Sequence, residues 1–138
     1  LALSLIDDPA LFELAGPGID GLILGAWLTD YNDKTNPQGS EFRAWLQANL
    51  PNERPGAFAA TGYAYATIMA ELLRRTGRDL TRDRFLETAN ALQNYTGSLV
   101  PRLSYTPDDH QGVKALYFQQ ARFADKTFTK LTDLIELP

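Results

Sequence analysis

The sequence contains no cysteine and only one histidine, His110. Disulfides, thiolate nucleophiles and cysteine-based metal sites are therefore excluded. No second histidine is available to complete a zinc site of the ordinary kind. No apolar run approaches membrane-spanning length; the longest, Leu22 to Leu28, is the size of a strand. A P-loop, a Gly-x-Gly-x-x-Gly fingerprint and a nucleophile elbow are all missing, so nucleotide binding and triad hydrolysis have no sequence support. Basic residues are outnumbered by acidic ones, giving a net charge of -4, which argues against a nucleic-acid partner that needs phosphate neutralised.

What is present is an ordinary globular composition, 44% hydrophobic and 22% charged over 138 residues, enough for one domain with a sizeable core. Asp8-Pro9 followed by Leu11 to Gly16 reads as a short capped helix closed by glycine, and Gly16-Pro17-Gly18 as a turn. Gly21 to Leu28 reads as a strand buried on both faces, as in a parallel sheet. A polar connection, Thr29 to Thr35, leads to a helix opened by Asn36-Pro37 and stopped by Pro51, with Phe42, Trp45, Leu46 and Leu50 facing inward. Thr81 caps another helix whose inner face is Phe85, Leu86, Ala89 and Leu92. Three strands are expected after it: Leu99 to Tyr105, Lys114 to Arg122 and Thr127 to Leu131, the last two joined by a turn at Ala124-Asp125-Lys126. In the middle strand Ala115, Tyr117, Gln119 and Ala121 alternate with their neighbours. The fold class is α/β, with helices in the middle and an antiparallel hairpin at the C-terminal end.

The central helix, Phe58 to Gly77, carries two stripes. Gly62, Ala66 and Ala70 recur every four residues and predict a flat face open to close backbone approach. Phe58, Tyr65, Met69 and Leu72 form an apolar ridge beside it. Gly77 is expected to end the helix with positive φ, after Arg74 and Arg75 in the last turn.

The order Gly56-Ala57-Phe58, Gly62-Tyr63, Gly77-Arg78-Asp79-Leu80-Thr81-Arg82 and Asp109-His110-Gln111-Gly112 resembles the C-terminal part of type I periplasmic substrate-binding proteins of the branched-chain amino-acid and aromatic-compound receptor kind. Ala57 stands where the family pattern has a proline before the aromatic. The resemblance implies a two-lobed Rossmann-like fold of which residues 1–138 form a single partial domain, with an inter-lobe crossing near residues 29–35. It implies that less than half of a full-length member is covered. Leu1 to Ile6 is too short for a signal-peptide core and reads as an interrupted start.

Candidate chemistry is sparse. Asp108, Asp109 and His110 are adjacent and cannot easily converge on one metal ion; they read as a turn. The carboxylate pairs Asp7–Asp8 and Asp108–Asp109 read as a cap or a solvated loop. Arg74, Arg75, Arg78, Arg82 and Arg84 are interleaved with Glu71, Asp79, Asp83 and Glu87, so their field cancels. The aromatics carry more. The resemblance implies that Phe58 lies against a ligand at a helix start, where apolar contact and free N–H groups combine. Tyr63 follows on the same helix, and Trp27 and Tyr31 lie near the end of a strand, where α/β sheets bind ligands. Core packing is the competing account of all four.

The function these readings imply is the extracellular or periplasmic solute-binding component of an ABC transporter. It would bind a small amino acid-like or aromatic carboxylate ligand by hinge closure and pass it to a permease, without catalysis, cofactor or metal. The alternatives are a ligand-sensing receptor domain of the same fold and, with less support, a small α/β hydrolase. Apolar surface left uncovered by absent segments predicts self-association.

Overall fold

The computed structural model describes residues 2–3 and 7–137, and its architecture is α/β. β1 (Ala2–Leu3) and α1 (Ala10–Ala15) are followed by a tight 3-10 turn, Gly16–Ile19, and β2 (Ile23–Ala26). Three helices come next: α2 (Pro37–Asn49), α3 (Ala57–Thr76) and α4 (Arg82–Asn90). β3 (Ala115–Arg122), β4 (Thr127–Lys130) and β5 (Ile135–Glu136) complete the order. Among the described residues no helix is long and apolar enough to cross a membrane.

The local signals act as the chemistry requires. Asp8 Oδ1 accepts from Ala10 N at 2.9 Å, and Gly16 ends α1 with φ 58°. Asn36 accepts from Gln38 N at the start of α2, and Thr81 from Arg84 N at the start of α4. Gly77 closes α3 with φ 79° and returns its N–H to Leu73 O.

One sheet runs β1-β2-β3-β4, with β5 on the early part of β3. Among the described residues only β1 and β2 pair in parallel; β3 is antiparallel to β2, β4 and β5. β2 was expected to be buried on both faces. Instead Leu24 and Ala26 are buried while Ile23 and Gly25 are half-covered, because its long neighbour is an antiparallel strand with one covered face. β3 shows the expected alternation, with Ala115, Tyr117, Gln119 and Ala121 turned inward. The β3–β4 turn places Lys126 at φ 51°.

The expected strand from Leu99 to Tyr105 is absent. Pro101 lacks an N–H, and the segment bonds instead to scattered partners: Leu99 O accepts from Thr29 N, Leu103 exchanges bonds with Tyr95, and Tyr105 N reaches Leu92 O. Its apolar character serves the core, where Leu99 and Val100 are wholly buried.

The stripes of α3 are also corrected. Its buried face is Ala57, Ala60, Ala64, Ile68 and Leu72, whereas Gly62, Ala66 and Ala70 are exposed. Of the ridge, only Leu72 is buried; Phe58, Tyr65 and Met69 are 68%, 60% and 49% exposed. Small residues do admit a close neighbour, but at Ala60 and Ala64. There Ser98 Oγ lies 2.6 Å from Thr67 Oγ1 and 3.4 Å from Ala64 O. On α2, Phe42 and Leu46 are buried as expected, while Trp45 and Leu50 are 42% and 47% exposed; Leu86 of α4 is 39% exposed.

The described residues form two apolar cores. The larger joins α2, α3 and the 92–103 segment around Phe42, Leu46, Ala64, Ile68, Leu92 and Val100. The smaller, around Phe12, Ile19 and Ala121, joins α1 to the distal part of the β2–β3–β4 sheet. β2 and β3 run from one to the other, and Leu28 and Tyr31, just past β2, already belong to the larger core.

Candidate functional site

The carboxyl ends of the parallel strands β1 and β2 lead to Asp7-Asp8 and to Asp30-Tyr31, the position where an α/β sheet presents its ligand site. The two aspartates diverge. Asp8 caps α1 through Oδ1, and its other oxygen presses on Gly56, the extended N-cap of α3, where a Cβ would overlap it. Asp7 turns inward and is 6% exposed.

Asp7 joins three segments. The Tyr31 hydroxyl donates to Asp7 Oδ1 at 2.7 Å and shares its proton with the Asp7 carbonyl at 2.9 Å. Gln119 Nε2, from the inward row of β3, donates to Asp7 Oδ2 at 2.6 Å. Burial pushes the Asp7 carboxyl up to about 6, outweighing the lowering effect of those two hydrogen bonds; Asp30 and Asp8 add to the rise. Burial, and then the Asp7 charge, holds the Tyr31 phenol well above the usual range, so Tyr31 stays a donor. The Tyr117 phenol is raised too, by burial first and then by Asp30 and Asp7. Buried oxygens thus gather at the β1–β2–β3 junction, and α3 begins beside them.

The four aromatic candidates do not converge. Phe58 occupies the first turn of α3, two residues past the Gly56–Asp8 contact, and is largely exposed. Tyr31 is committed to Asp7, its ring edge-on to Phe42 at 5.9 Å. Tyr63 packs between Phe42 and Trp45, with ring centroids at 5.3 and 5.2 Å. Trp27 stacks on Tyr65 at 5.9 Å, lining a separate apolar cavity of about 370 Å³ beside Ile68, Met69 and Val100. Tyr31 and Tyr63 meet through Phe42, Trp27 lies on the opposite flank of α3, and Phe58 stands exposed on its first turn.

The Asp108–His110 turn is engaged internally. Asp109 pairs with Lys114 and accepts from Gln111 N, while His110 Nε2 lies 3.0 Å from Asn90 Oδ1. Arg74 and Arg75 both hold Glu71, and Arg84 holds Asp79.

The reading of Asp7 and Asp8 as a cap or a solvated loop holds for Asp8 but not for the buried Asp7, and Gln119 was not singled out. The usable signal was the alternation of β3, which puts an amide among Ala115, Tyr117 and Ala121 on the inward row. A buried amide needs a polar partner. Asp8 being the cap, its neighbour Asp7 was free to supply one.

None of the curated proteins matches the sequence. Among solved structures, a leucine-binding protein from Thermotoga maritima is 18% identical with a TM-score of 0.70, the match covering 94% of this chain and 35% of that one. A branched-chain amino acid ABC transporter protein from Thermus thermophilus, with bound valine, is 18% identical with a TM-score of 0.73, covering 94% and 37%. An ABC transporter substrate-binding protein from Sphaerobacter thermophilus is 23% identical with a TM-score of 0.71, covering 94% and 34%. The chain therefore spans about a third of the length of these relatives, whose fold, the type I periplasmic binding protein fold, it shares over almost all of its residues. The family model for periplasmic binding proteins matches residues 1–127, and the chain belongs to that family.

Proposed function

We propose that the chain forms part of a periplasmic or extracellular solute-binding protein that delivers a small amino acid-like or aromatic carboxylate to an ABC transporter permease. The observation that carries this reading, beyond family membership, is the placement of Phe58. An exposed aromatic stands on the first turn of α3, two residues past the glycine that Asp8 touches just beyond β1. Apolar contact from the ring and the N–H groups of the helix start suit a solute with an apolar body and a carboxylate. Tyr31 serves behind it by holding Asp7. Trp27 and Tyr63 would touch the solute only if it extended along a flank of α3.

The connection from Thr29 to Thr35 leaves β2 and enters the larger core, which supports its role as an inter-lobe crossing. Solute would then bind between lobes that close about the β2 and β3 crossings, and the closed form would be the one the permease engages. No covalent step is needed.

Isothermal titration of the intact protein tests this. Valine and leucine are the first solutes to try, followed by benzoate-like acids. Binding by one of these classes, weakened about tenfold or more by Phe58→Ala without loss of thermal stability, is the expected result. Unchanged affinity in that variant would remove Phe58 from the site. Absence of binding across both solute classes would remove the proposed ligand class.

A further inference from the structure

The chain passes between its two cores at two places, residues 27–30 after β2 and residues 113–114 before β3. α2, α3, α4 and the 92–103 segment go with the larger core, and α1 and the strands with the smaller. The joint between these two bodies is poorly filled. A cavity of about 370 Å³ is lined by Asn36 and Pro101 of the larger body and by Tyr117 and Leu134 of the smaller. A second, of about 310 Å³, is lined by Asn94 and Ser104 of the larger and by Ala115 and Leu137 of the smaller. Close packing, which elsewhere fixes the angle between parts of a fold, is interrupted here.

Directional bonding spans the joint instead. Tyr31 belongs to the larger body. Its ring meets Phe42 edge-on, its carbonyl accepts from Arg43 of α2, and a Cβ on Gly39 would lie 3.0 Å from that carbonyl. The surrounding turn is tied to α2 as well: Asn36 Nδ2 donates to Asp30 O at 3.0 Å, and Asp30 Oδ1 accepts from Asn32 N and Asp33 N. Residues 30–36 therefore move with α2. Asp7 belongs to the smaller body, fixed to β3 by Gln119 Nε2 at 2.6 Å. The Tyr31 hydroxyl reaches from one body to the other, donating to Asp7 Oδ1 at 2.7 Å, with both residues buried. Away from the two crossings, the other side-chain bond between the bodies among the described residues is Arg102 to Glu136. Those side chains are 53% and 63% exposed, so water screens the pair. Asp8 also touches Gly56, but by van der Waals contact, which is not directional.

We propose that the Tyr31–Asp7 hydrogen bond is a conformational latch, which holds the two bodies at the observed angle and has to open before they rotate about the two crossings. This deepens the hinge closure proposed above and rests on it. A buried hydrogen bond suits the task because it is lost over a small displacement or tilt of the hydroxyl and is remade on return. Tyr31 and Asp7 act as positioning residues.

Spin labels at Thr129→Cys on β4 and Glu87→Cys on α4, both exposed, report the angle in the intact protein as a distance distribution. With the latch intact and no solute, one narrow distance is expected. Tyr31→Phe keeps the ring against Phe42 and removes only the latch hydroxyl; it should raise the population at other distances about tenfold. Asp7→Ala removes the acceptor from the opposite side and should do the same, so the outcome does not hang on one variant folding. Asp7→Asn keeps an oxygen for the Tyr31 hydroxyl and should keep the single distance. A distribution unchanged in either folded latch variant, broadened as much in Asp7→Asn, or already broad with the latch intact would each overturn the proposal, whatever happens to the melting temperature. The distances are read without solute, so the latch can fail while valine or leucine binds, and can hold while neither does.

Discussion

Asp7→Asn should make the protein more stable at neutral pH and not in acid. The folded Asp7 carboxyl titrates at about 6, against 3.8 for the free side chain, because burial disfavours its charge. Between those values the folded state holds a proton that the unfolded state has released. Stability from this group is therefore complete below the unfolded value and is lost as pH rises through the folded one. The gap of about two pH units is worth on the order of 3 kcal/mol. Asparagine reproduces the protonated state at every pH. Its Oδ1 still accepts from Tyr31, and Gln119 can turn its amide so that oxygen faces the new Nδ2. Urea unfolding of wild type and variant at several pH values should give nearly equal stabilities below about pH 4. The difference should then grow in the variant's favour to a few kcal/mol by neutral pH. Glu71, Asp33 and Asp109 have lowered carboxyls that act in the opposite direction, but they are common to both proteins and cancel. A difference that stays flat with pH, or that grows as the solution is acidified, would refute the assignment of a strained buried carboxylate.

Phe42→Ala removes a wholly buried ring that meets both Tyr31 and Tyr63, and should lower unfolding free energy by about 3–5 kcal/mol in denaturant titration. Gly39→Ala would place a Cβ 3.0 Å from Tyr31 O, against backbone that cannot rotate away, and should cost about 1–3 kcal/mol by the same assay. Gly77→Ala, at φ 79°, should cost about 1 kcal/mol, whereas Gly62→Ala, exposed within the helix, should be neutral or stabilising; thermal melts decide both. The 138-residue chain expressed alone should self-associate through the exposed Phe58, Tyr65 and Met69 flank, and a clean monomer in static light scattering would count against it.

Local signals were legible wherever one residue type satisfies a backbone need. Asn36-Pro37, Thr81 and Gly77 each mark a helix end because a side-chain acceptor, a fixed φ or a missing Cβ is required there. The alternation of β3 was legible because its period is unambiguous. What failed was the choice among competing apolar faces. α3 offers small or apolar residues on most of its circumference, and periodicity does not say which stripe faces the core. The 99–105 segment failed for the opposite reason: it is apolar and extended, but Pro101 and the pull of two different neighbours send its hydrogen bonds to separate partners. Of the candidate aromatics, Tyr31 and Tyr63 were brought to one ring, Phe42; Trp27 was drawn to Tyr65, and Phe58 stayed exposed.

The position of Asp7 follows from the division of the core. β2 and β3 pass between two apolar clusters, and the larger contains Tyr31 while the smaller contains Ala121, two residues beyond Gln119. Where the clusters meet, no continuous hydrophobic packing sets the angle between them. Directional bonds do so instead: one carboxylate ties the exit of β1 to the β2–α2 connection and to β3. A polar joint is less stable than an apolar one of the same volume, but it fixes geometry through bond angles and can be remade after a rotation. Asp7→Leu should therefore lower stability, by about 1–3 kcal/mol for each of the two buried donors it orphans, and solute affinity with it. It would leave Tyr31 and Gln119 without their shared acceptor at the place where the two parts of the fold must keep register.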